Sequence, residues 1–550
     1  MSGWAWHPGP REVNIRVMSE VETEPAAAIA AGYAIPAGSR DELLDADGRP
    51  LSHARSLMAA LDRLGPAALS AAGKRRDTIF MQQGITFEVA GSDGERRDRA
   101  WPLDLVPRVL TSAEWTIIKR GLAQRIRALN AFVDDVYHAH EIVQAGIVPW
   151  SLIVSRKEFA RPVHGVRPPG GVYCHVAGCD LVRDGEGRWR VLEDNVRTPS
   201  GISYVLENRV AMTRLVPELF AGHSVRPVDQ YPSLLLDALR AVAPAENEPT
   251  VVLWTPGAMN AAYFEHAFLA RQMGVELVEP TDLVVRDAVC YMRTTAGLQR
   301  VHTIYRRLDD SFIDPLEFRP DSLLGVPGLV RAYRAGTVAI ANAIGTGVAD
   351  DKAIYYYVPE MIRFYLDEEP ILENVPTYLL SNAKERAHVI GRLEQVVVKP
   401  TSESGGKGVF IGPHATRAEV QEQARMIEDD PSRWIAQELV HLSTAPTEIG
   451  DGRLEPRHVD LRPFAVFGEE IRIVPGGLTR VALQEGSMIV NSSAGGGSKD
   501  TWVLDDGDDT DPAGGRDSQL PPYRPPRLPD VRYGGTWSNQ AQQQQQQQRE

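Results

Sequence analysis

The sequence predicts a chain of mixed α+β and α/β character, divided into more than one domain, and three stretches carry that expectation. One is a long amphipathic helix beginning at Thr111, one a β-hairpin between Gly170 and Gly201, and one a strand–helix–strand unit beginning at Thr250. The 550 residues, 43% of them hydrophobic, can bury a core larger than one compact domain usually holds.

In chain order, residues 1–110 read as a mostly helical N-terminal region, with "HARSLMAALDRLG" its clearest helical signal. The opening "MSGWAWHPGPREVNIRV" lacks the apolar stretch of a signal peptide, and "EPAAAIAAGYAIPAG" is too short and too interrupted to span a bilayer. In segment 111–230, Trp115, Ile118, Leu122, Ile126, Leu129, Phe132 and Val136 recur at three and four, and Thr111 with Glu114 has capping-box spacing. That stripe reads as core packing. The same segment holds "CHVAGCDLVRDGEGRWRVLEDNVR", two strand-like runs around a Gly- and Asp-rich turn.

Segment 231–345 carries "TVVLWTPGAMNAAYFEHAFLARQMGVELVEPTDLVV", a βαβ unit in an α/β layer, and its loop lacks the spaced glycines of a dinucleotide fingerprint. Segment 346–504 follows helical signals between Val326 and Leu366 with strand, glycine-rich turn and strand in "VVVKPTSESGGKGVFIG", a helix near Ala415 to Glu428, and several short strands. Residues 505–550, rich in Asp, Gly, Pro and Arg and ending in "QAQQQQQQQRE", form a tail whose composition predicts disorder. No repeat of solenoid length is present.

The formal net charge of −14 disfavours a sequence-independent grip on nucleic acid or anionic lipid, so small molecules or proteins are the expected partners. Three cysteines make no disulfide framework, which points to a reducing, cytoplasmic setting. Cys174 and Cys179 flank His175, but no nearby spacing completes a zinc site.

The glycine-rich stretch fails the Walker A pattern, because Lys407 precedes Gly408 instead of Ser or Thr. A second use of the same materials remains open. Lys399 could meet phosphate oxygens from its strand while Ser404, Gly405, Gly406, Lys407 and Gly408 donate backbone N–H groups, although a plain hairpin turn explains them as well. In "WIAQELV", Gln437, Glu438 and Leu439 could recognise adenine and a ribose hydroxyl, or form an ordinary edge strand. Arg462 and Arg480 are suited to a transferring phosphoryl group. Magnesium requires hard oxygen ligands, which Glu193 and Asn195, two apart, can offer with Asp180 across the hairpin; a polar turn is the simpler alternative. Arg306 or Arg307, followed by Asp309 and Asp310, could anchor a substrate carboxylate or form a surface charge cluster, and Arg197 could contact phosphate or order its loop.

Together these residues resemble the ATP-grasp superfamily, and their order resembles its circularly permuted branch, over roughly Gln83 to Leu504. The ordinary order begins with a "DK" segment, here "DDKAIYYYVPEM" with Lys352. It continues through Lys399, "SGGKG", "AQELV", "DLRPFAV" with Arg462, "LTRVA" with Arg480 and "VNSSAGGGSKD" with Asn491. The metal-binding end, Asp180, Glu193 and Asn195, lies before the lysines instead of after them. Permutation preserves such a site wherever the same strands meet in space.

The chain looks similar to a bacterial group related to glutathionylspermidine synthetase-like ligases, often associated with α-helical and transglutaminase-like proteins. The resemblance implies ATP and Mg2+ as cofactors. It makes 111–230 the helix and metal-binding half, 231–345 a pre-ATP-grasp substrate layer, and 346–504 the lysine and glycine-loop half. Lys352, Lys399, Ser404 to Gly408, Gln437 to Leu439 and Asn491 would hold the nucleotide, with Arg462 and Arg480 catalytic. The implied activity is carboxylate–amine ligation through an acyl phosphate; kinase-like phosphotransfer and a nucleotide-binding scaffold for partner proteins are the alternatives. Retention of the metal and lysine positions argues against a scaffold.

Overall fold

The computed structural model describes residues 28–90, 96–244, 247–402, 408–488, 490, 496–505 and 544. The expected positions Ser404 to Lys407 and Asn491, and nearly all of the tail, lie outside the described residues.

The architecture is built on a large mixed sheet whose hydrogen-bonded order is Glu373–Asn374, Trp189–Glu193, Asp180–Arg183, Leu454–Arg462, Leu478–Val481, Gly497–Val503 and Leu103–Leu110. Leu181 pairs with Leu461, so strands some 280 positions apart lie side by side, the spatial meaning of a permuted chain. A second, four-stranded sheet runs in the order Thr377–Leu379, Trp434–Glu438, Val396–Pro400 and Phe410–Ile411. Its apolar face is covered by the helices Ala383–Ile390 and Arg417–Asp429, through Val389, Val396, Val398, Ile427 and Trp434. The third layer is a parallel sheet ordered Ala339–Ala341, Thr303–Arg306, Val251–Trp254 and Glu276–Val278.

The long helix occupies Ser112–Tyr137, and its capping box forms as the sequence indicates: the Glu114 N–H donates to Thr111 Oγ1 at 3.2 Å, and the Thr111 N–H to the Glu114 carboxylate at 3.0 Å. All seven residues of its apolar stripe are buried in the principal core. The hairpin forms as Asp180–Arg183 and Trp189–Glu193, and the βαβ unit as Val251–Trp254, Tyr263–Met273 and Glu276–Val278. Between Val326 and Leu366 the helical signals correspond to Leu329–Arg334, Lys352–Tyr355 and Val358–Leu366, with strand Ala339–Ala341 between the first and the other two.

Described residues 28–90 and 96–110 combine helices with strands. Helices do fill Arg55–Leu64 and Pro66–Gln83, but Thr86–Ala90 and Arg96–Ala100 pair as a hairpin, and Leu103–Leu110 runs parallel to Gly497–Val503 in the large sheet. Buried ion pairs fix that strand: Arg108 grips Glu42, and Lys499 reaches Asp104. Among the described residues, no helix is long and apolar enough to cross a membrane.

Candidate active site

The cleft between the large sheet and the four-stranded sheet gathers the chemistry. Along Val396–Pro400 the side chains alternate: Val396 and Val398 enter the small core, while Val397 and Lys399 line the cleft. Lys352 arrives from the first turn of a short helix. Asp351 caps that turn by accepting from the Ala353 N–H at 2.8 Å, and the Lys352 N–H donates to the Thr401 carbonyl at 3.1 Å. Both lysines therefore line one wall.

The opposite wall belongs to the hairpin. Asp180 stands across the ladder from Glu193, and both line the cleft with Asp460 and Arg480. Arg462 closes on Asp180 with Nε and Nη2 at 2.6 and 3.0 Å, and Arg480 Nη2 reaches the same carboxylate at 2.6 Å. Burial alone would raise the Asp180 carboxyl, but these two guanidiniums outweigh it and hold the group well below the usual carboxylate range. Glu193 is less tied, with Lys352 Nζ at 3.9 Å and Arg462 at 4.0 Å.

Asn195 lies just beyond the strand. Its amide nitrogen donates to the Gly178 carbonyl at 3.1 Å, which leaves Oδ1 as the atom a cation would use. Gly178 matters sterically as well: a Cβ there would sit 3.0 Å from Pro199 Cβ and 3.2 Å from Arg462 Cδ, tight against the arginine that grips Asp180.

Lys399 has the opposite electrostatic condition. Among the described residues it makes no ion pair within 4 Å, and burial, aided by Lys352 and Arg480 against Glu193, pushes its amine down to about 8. A polyphosphate would supply the missing anion. Apolar side chains Val182, Leu192, Val397, Ile411, Leu442 and Met488 line the rest of the cleft, as a planar base requires. Gln437 Nε2 reaches Thr377 Oγ1 at 3.2 Å, but its buried Oε1 has no hydrogen-bond partner and can accept from a bound group. Asp180 and Glu193 share the cleft with two lysines and an apolar rim, and Asn195 follows Glu193 by two residues, a hard-oxygen donor set of the kind that fits Mg2+ beside a nucleoside triphosphate.

Several expected residues are placed otherwise. Glu438 and Leu439 line the cleft, but the Glu438 carboxylate is taken by Tyr378 OH and Arg392, each at 2.6 Å, so it is not turned to a ribose. Gly408, at φ +69°, follows the undescribed part of its loop. Arg306 is fully enclosed: it donates to the carbonyls of Asn342, Leu308 and Ala343 and pairs with Asp310 at 2.6 Å. Its donors serve the chain itself, which corrects the expectation that it meets a substrate carboxylate. Arg307 is buried too, bound to the Pro199 carbonyl, Ser200 Oγ and Glu265. Arg197 is the accessible one, its side chain 25% exposed, yet it is paired with Asp309 at 2.7 Å and Asp350 at 3.5 Å.

Asp460 went unassigned from sequence, although it stands two residues from Arg462 on one strand face and Arg480 Nε donates to it at 2.9 Å. The period-2 pattern in "DLR" was the available signal. Glu265 was missed as well; its carboxylate accepts the N–H groups of Gly201 at 2.7 Å and Ser203 at 3.2 Å, tying the α/β layer to the loop whose Ser200 carbonyl receives Arg462.

The chain is 53% identical over 471 residues to an uncharacterized protein of Synechocystis sp., covering 85% of this chain and 98% of that one. It is 46% identical over 473 residues to a putative glutamate–cysteine ligase of Frankia alni, covering 85% of this chain and 54% of the relative. A glutathione synthetase-like effector of Globodera pallida, solved in its apo form, shares the fold at a TM-score of 0.54 and 12% identity, over 80% of this chain and 97% of that one. Residues 107–482 match the family described as circularly permuted ATP-grasp type 2, and the chain belongs to that family.

Proposed function

We propose that the protein is an ATP-dependent carboxylate–amine ligase that forms an amide bond through an acyl phosphate, releasing ADP and phosphate. The observation that carries this reading is the meeting of Asp180 and Glu193 with Lys352 and Lys399 in one cleft, from halves of the chain that are distant in sequence. Ligase names among the relatives support it.

Magnesium, held by Asp180, Glu193 and the Asn195 amide oxygen, would neutralise phosphate oxygens as a Lewis acid. Lys352 and Lys399 would bind the phosphates. The backbone at Gln437 to Leu439 would hold the base. A substrate carboxylate oxygen attacks the γ-phosphorus, and the bond to the β-bridging oxygen breaks with its electron pair passing to ADP. Arg462 and Arg480 stabilise the charge that develops. An amine nitrogen then attacks the acyl carbon, phosphate departs with the C–O electron pair, and the nitrogen loses a proton. The protein supplies no nucleophile; it positions and it compensates charge.

The test is ATP turnover with Mg2+ across a pool of amino acids, short peptides and polyamines, following ADP, phosphate and product mass. Amide products with ADP release are expected. A stable phosphorylated product without an amide would replace this reading with phosphotransfer, and unaltered turnover in Glu193→Ala and Lys399→Ala would overturn the site.

A further inference from the structure

Between Glu193 and Asn195 stands a third carboxylate that is not turned to the cleft. Asp194 follows the last residue of Trp189–Glu193, and Arg125 holds it bidentately, Nε donating to Oδ1 at 2.7 Å and Nη2 to Oδ2 at 2.6 Å. Both side chains are only 1% exposed. The fold itself has therefore occupied the one acidic group that would compete with its neighbours for a cation.

Arg125 sits in the middle of the Ser112–Tyr137 helix, whose apolar stripe is packed into the principal core, so it is mounted on a rigid element. Its remaining nitrogen, Nη1, donates to Asn374 Oδ1 at 2.8 Å, and Asn374 pairs with Val191 in the large sheet. The guanidinium also lies over the Tyr355 ring, 5.3 Å from its centroid, and the Tyr355 hydroxyl donates to the Val191 carbonyl at 2.6 Å. Asn374 Nδ2 closes the circuit by donating to the Tyr355 carbonyl at 2.9 Å. Through Asp194 on one side and Val191 on the other, one guanidinium brackets Glu193.

Stability alone does not account for this arrangement. Desolvation offsets most of the attraction between two buried charges, so apolar packing would hold the helix to the sheet at least as well. What the planar fork supplies is direction. Successive side chains of an extended chain alternate, so fixing Asp194 toward the helix turns Glu193 the other way, into the cleft it lines. Asn195 is steadied next: its amide nitrogen donates to the Gly178 carbonyl at 3.1 Å, and its own carbonyl accepts the Gly178 N–H at 2.9 Å.

We propose that Arg125 is a positioning residue for the metal half of the site, keeping Asp194 out of the cleft and orienting Glu193 and Asn195 for a cation it does not itself touch. This rests on the Mg2+–ATP reading of the cleft. Binding of nucleotide without metal is left to Lys352 and Lys399, and Lys352 is anchored separately by the Asp351 cap and the Thr401 carbonyl.

The experiment measures, by calorimetry on the full chain, the affinity for a non-hydrolysable ATP analogue with Mg2+ in excess over nucleotide and again in EDTA. Arg125→Lys keeps the charge but loses the fork; it should weaken binding in Mg2+ about tenfold, as losing a group that orients a metal ligand does, while binding in EDTA changes less than about twofold. Tyr355→Phe removes only the hydroxyl on Val191 and should weaken the Mg2+ form about threefold to fivefold, a milder variant that tests the same strand if Arg125→Lys does not fold. Arg209→Lys is the control: Arg209 holds Asp500 and the carbonyls of Arg226 and Thr501, none of which lines the cleft, so both affinities should stay within about twofold. In a Glu193→Ala background, Arg125→Lys should add less than about threefold, because the ligand it orients is gone. Unchanged Mg2+ binding in both Arg125→Lys and Tyr355→Phe, equal loss with and without Mg2+, equal loss in Arg209→Lys, or full additivity with Glu193→Ala would overturn the proposal. If Mg2+ does not strengthen binding of the analogue to the wild-type chain, the reading of the cleft falls, and this proposal with it.

Discussion

The two walls of the cleft solve opposite electrostatic problems. On the large sheet, Asp180 is buried and compensated by Arg462 and Arg480, which also grips Asp460, so that wall is neutralised from within. On the four-stranded sheet, Lys399 is half-buried without an ion pair among the described residues, and desolvation pushes its amine down to about 8. A wall that is already balanced must exchange partners to accept a metal. A wall that lacks an anion waits for one. The difference teaches that the phosphate half of the site is unsatisfied by the fold, whereas the metal half is assembled with arginines standing in for cations.

The largest effect that would test this contrast comes from Lys399→Ala. It should lower ATP turnover by about 10²–10³-fold, the range for removing one preorganised electrostatic group, read as ADP formation at saturating Mg2+. Next, Asp180→Ala leaves two buried guanidiniums without their shared partner and should cost about 3–5 kcal/mol of stability by denaturant unfolding. Glu193→Gln, at a side chain 28% exposed and without a close ion pair, should leave stability within about 1 kcal/mol while Mg2+ dependence is weakened. Equal destabilisation by the two would erase the proposed difference within that wall.

A pH series sharpens the comparison further. Below about 8 Lys399 carries its proton and can bind phosphate; above it the folded apo protein loses that proton. ATP affinity should therefore fall about tenfold between pH 8 and pH 9.5, measured by calorimetry with a non-hydrolysable analogue. Stability of the apo chain should respond to this group in the other direction. An unfolded lysine keeps its proton to about pH 10.4, so over that window the unfolded state binds more protons and the Lys399 contribution to stability rises with pH. Lys399→Met should abolish both slopes.

The smallest effect is expected at Glu438. Its pair with Arg392 is about one quarter exposed on both sides, so Glu438→Gln should cost no more than about 1 kcal/mol and change KM for ATP less than about threefold. A larger rise in KM would mean that the carboxylate leaves Arg392 and Tyr378 to hold the ribose.

Much of this was legible in the residues. The Thr111–Glu114 cap, the Ser112–Tyr137 stripe and the 180–193 hairpin depend on neighbours within a few positions, so their patterns report them directly. The alternation in Val396–Pro400 likewise aims Lys399 into the cleft. Leu103–Leu110 was not legible as part of the large sheet, because Arg108 and Asp104 look like surface charges until Glu42 and Lys499 arrive from distant segments. Arg306 and Arg307 could not be told apart by sequence for a similar reason: one residue of offset turns the first into carbonyls of its own layer and the second toward Ser200 and Glu265.

The sequence by itself determined which chemistry is available: hard oxygens at Asp180, Glu193 and Asn195, cations at Lys352 and Lys399, and an order of motifs that only a permuted chain explains. Only the tertiary structure decided which charges remain for a ligand. Burial and ion pairing are set by partners hundreds of residues away, and a charge matched within the fold has little left to offer outside it. Arg306 is matched to its own carbonyls and Asp310, Arg462 and Arg480 share Asp180 and turn to a ligand only as a cation displaces them from it, while Lys399 makes no ion pair among the described residues.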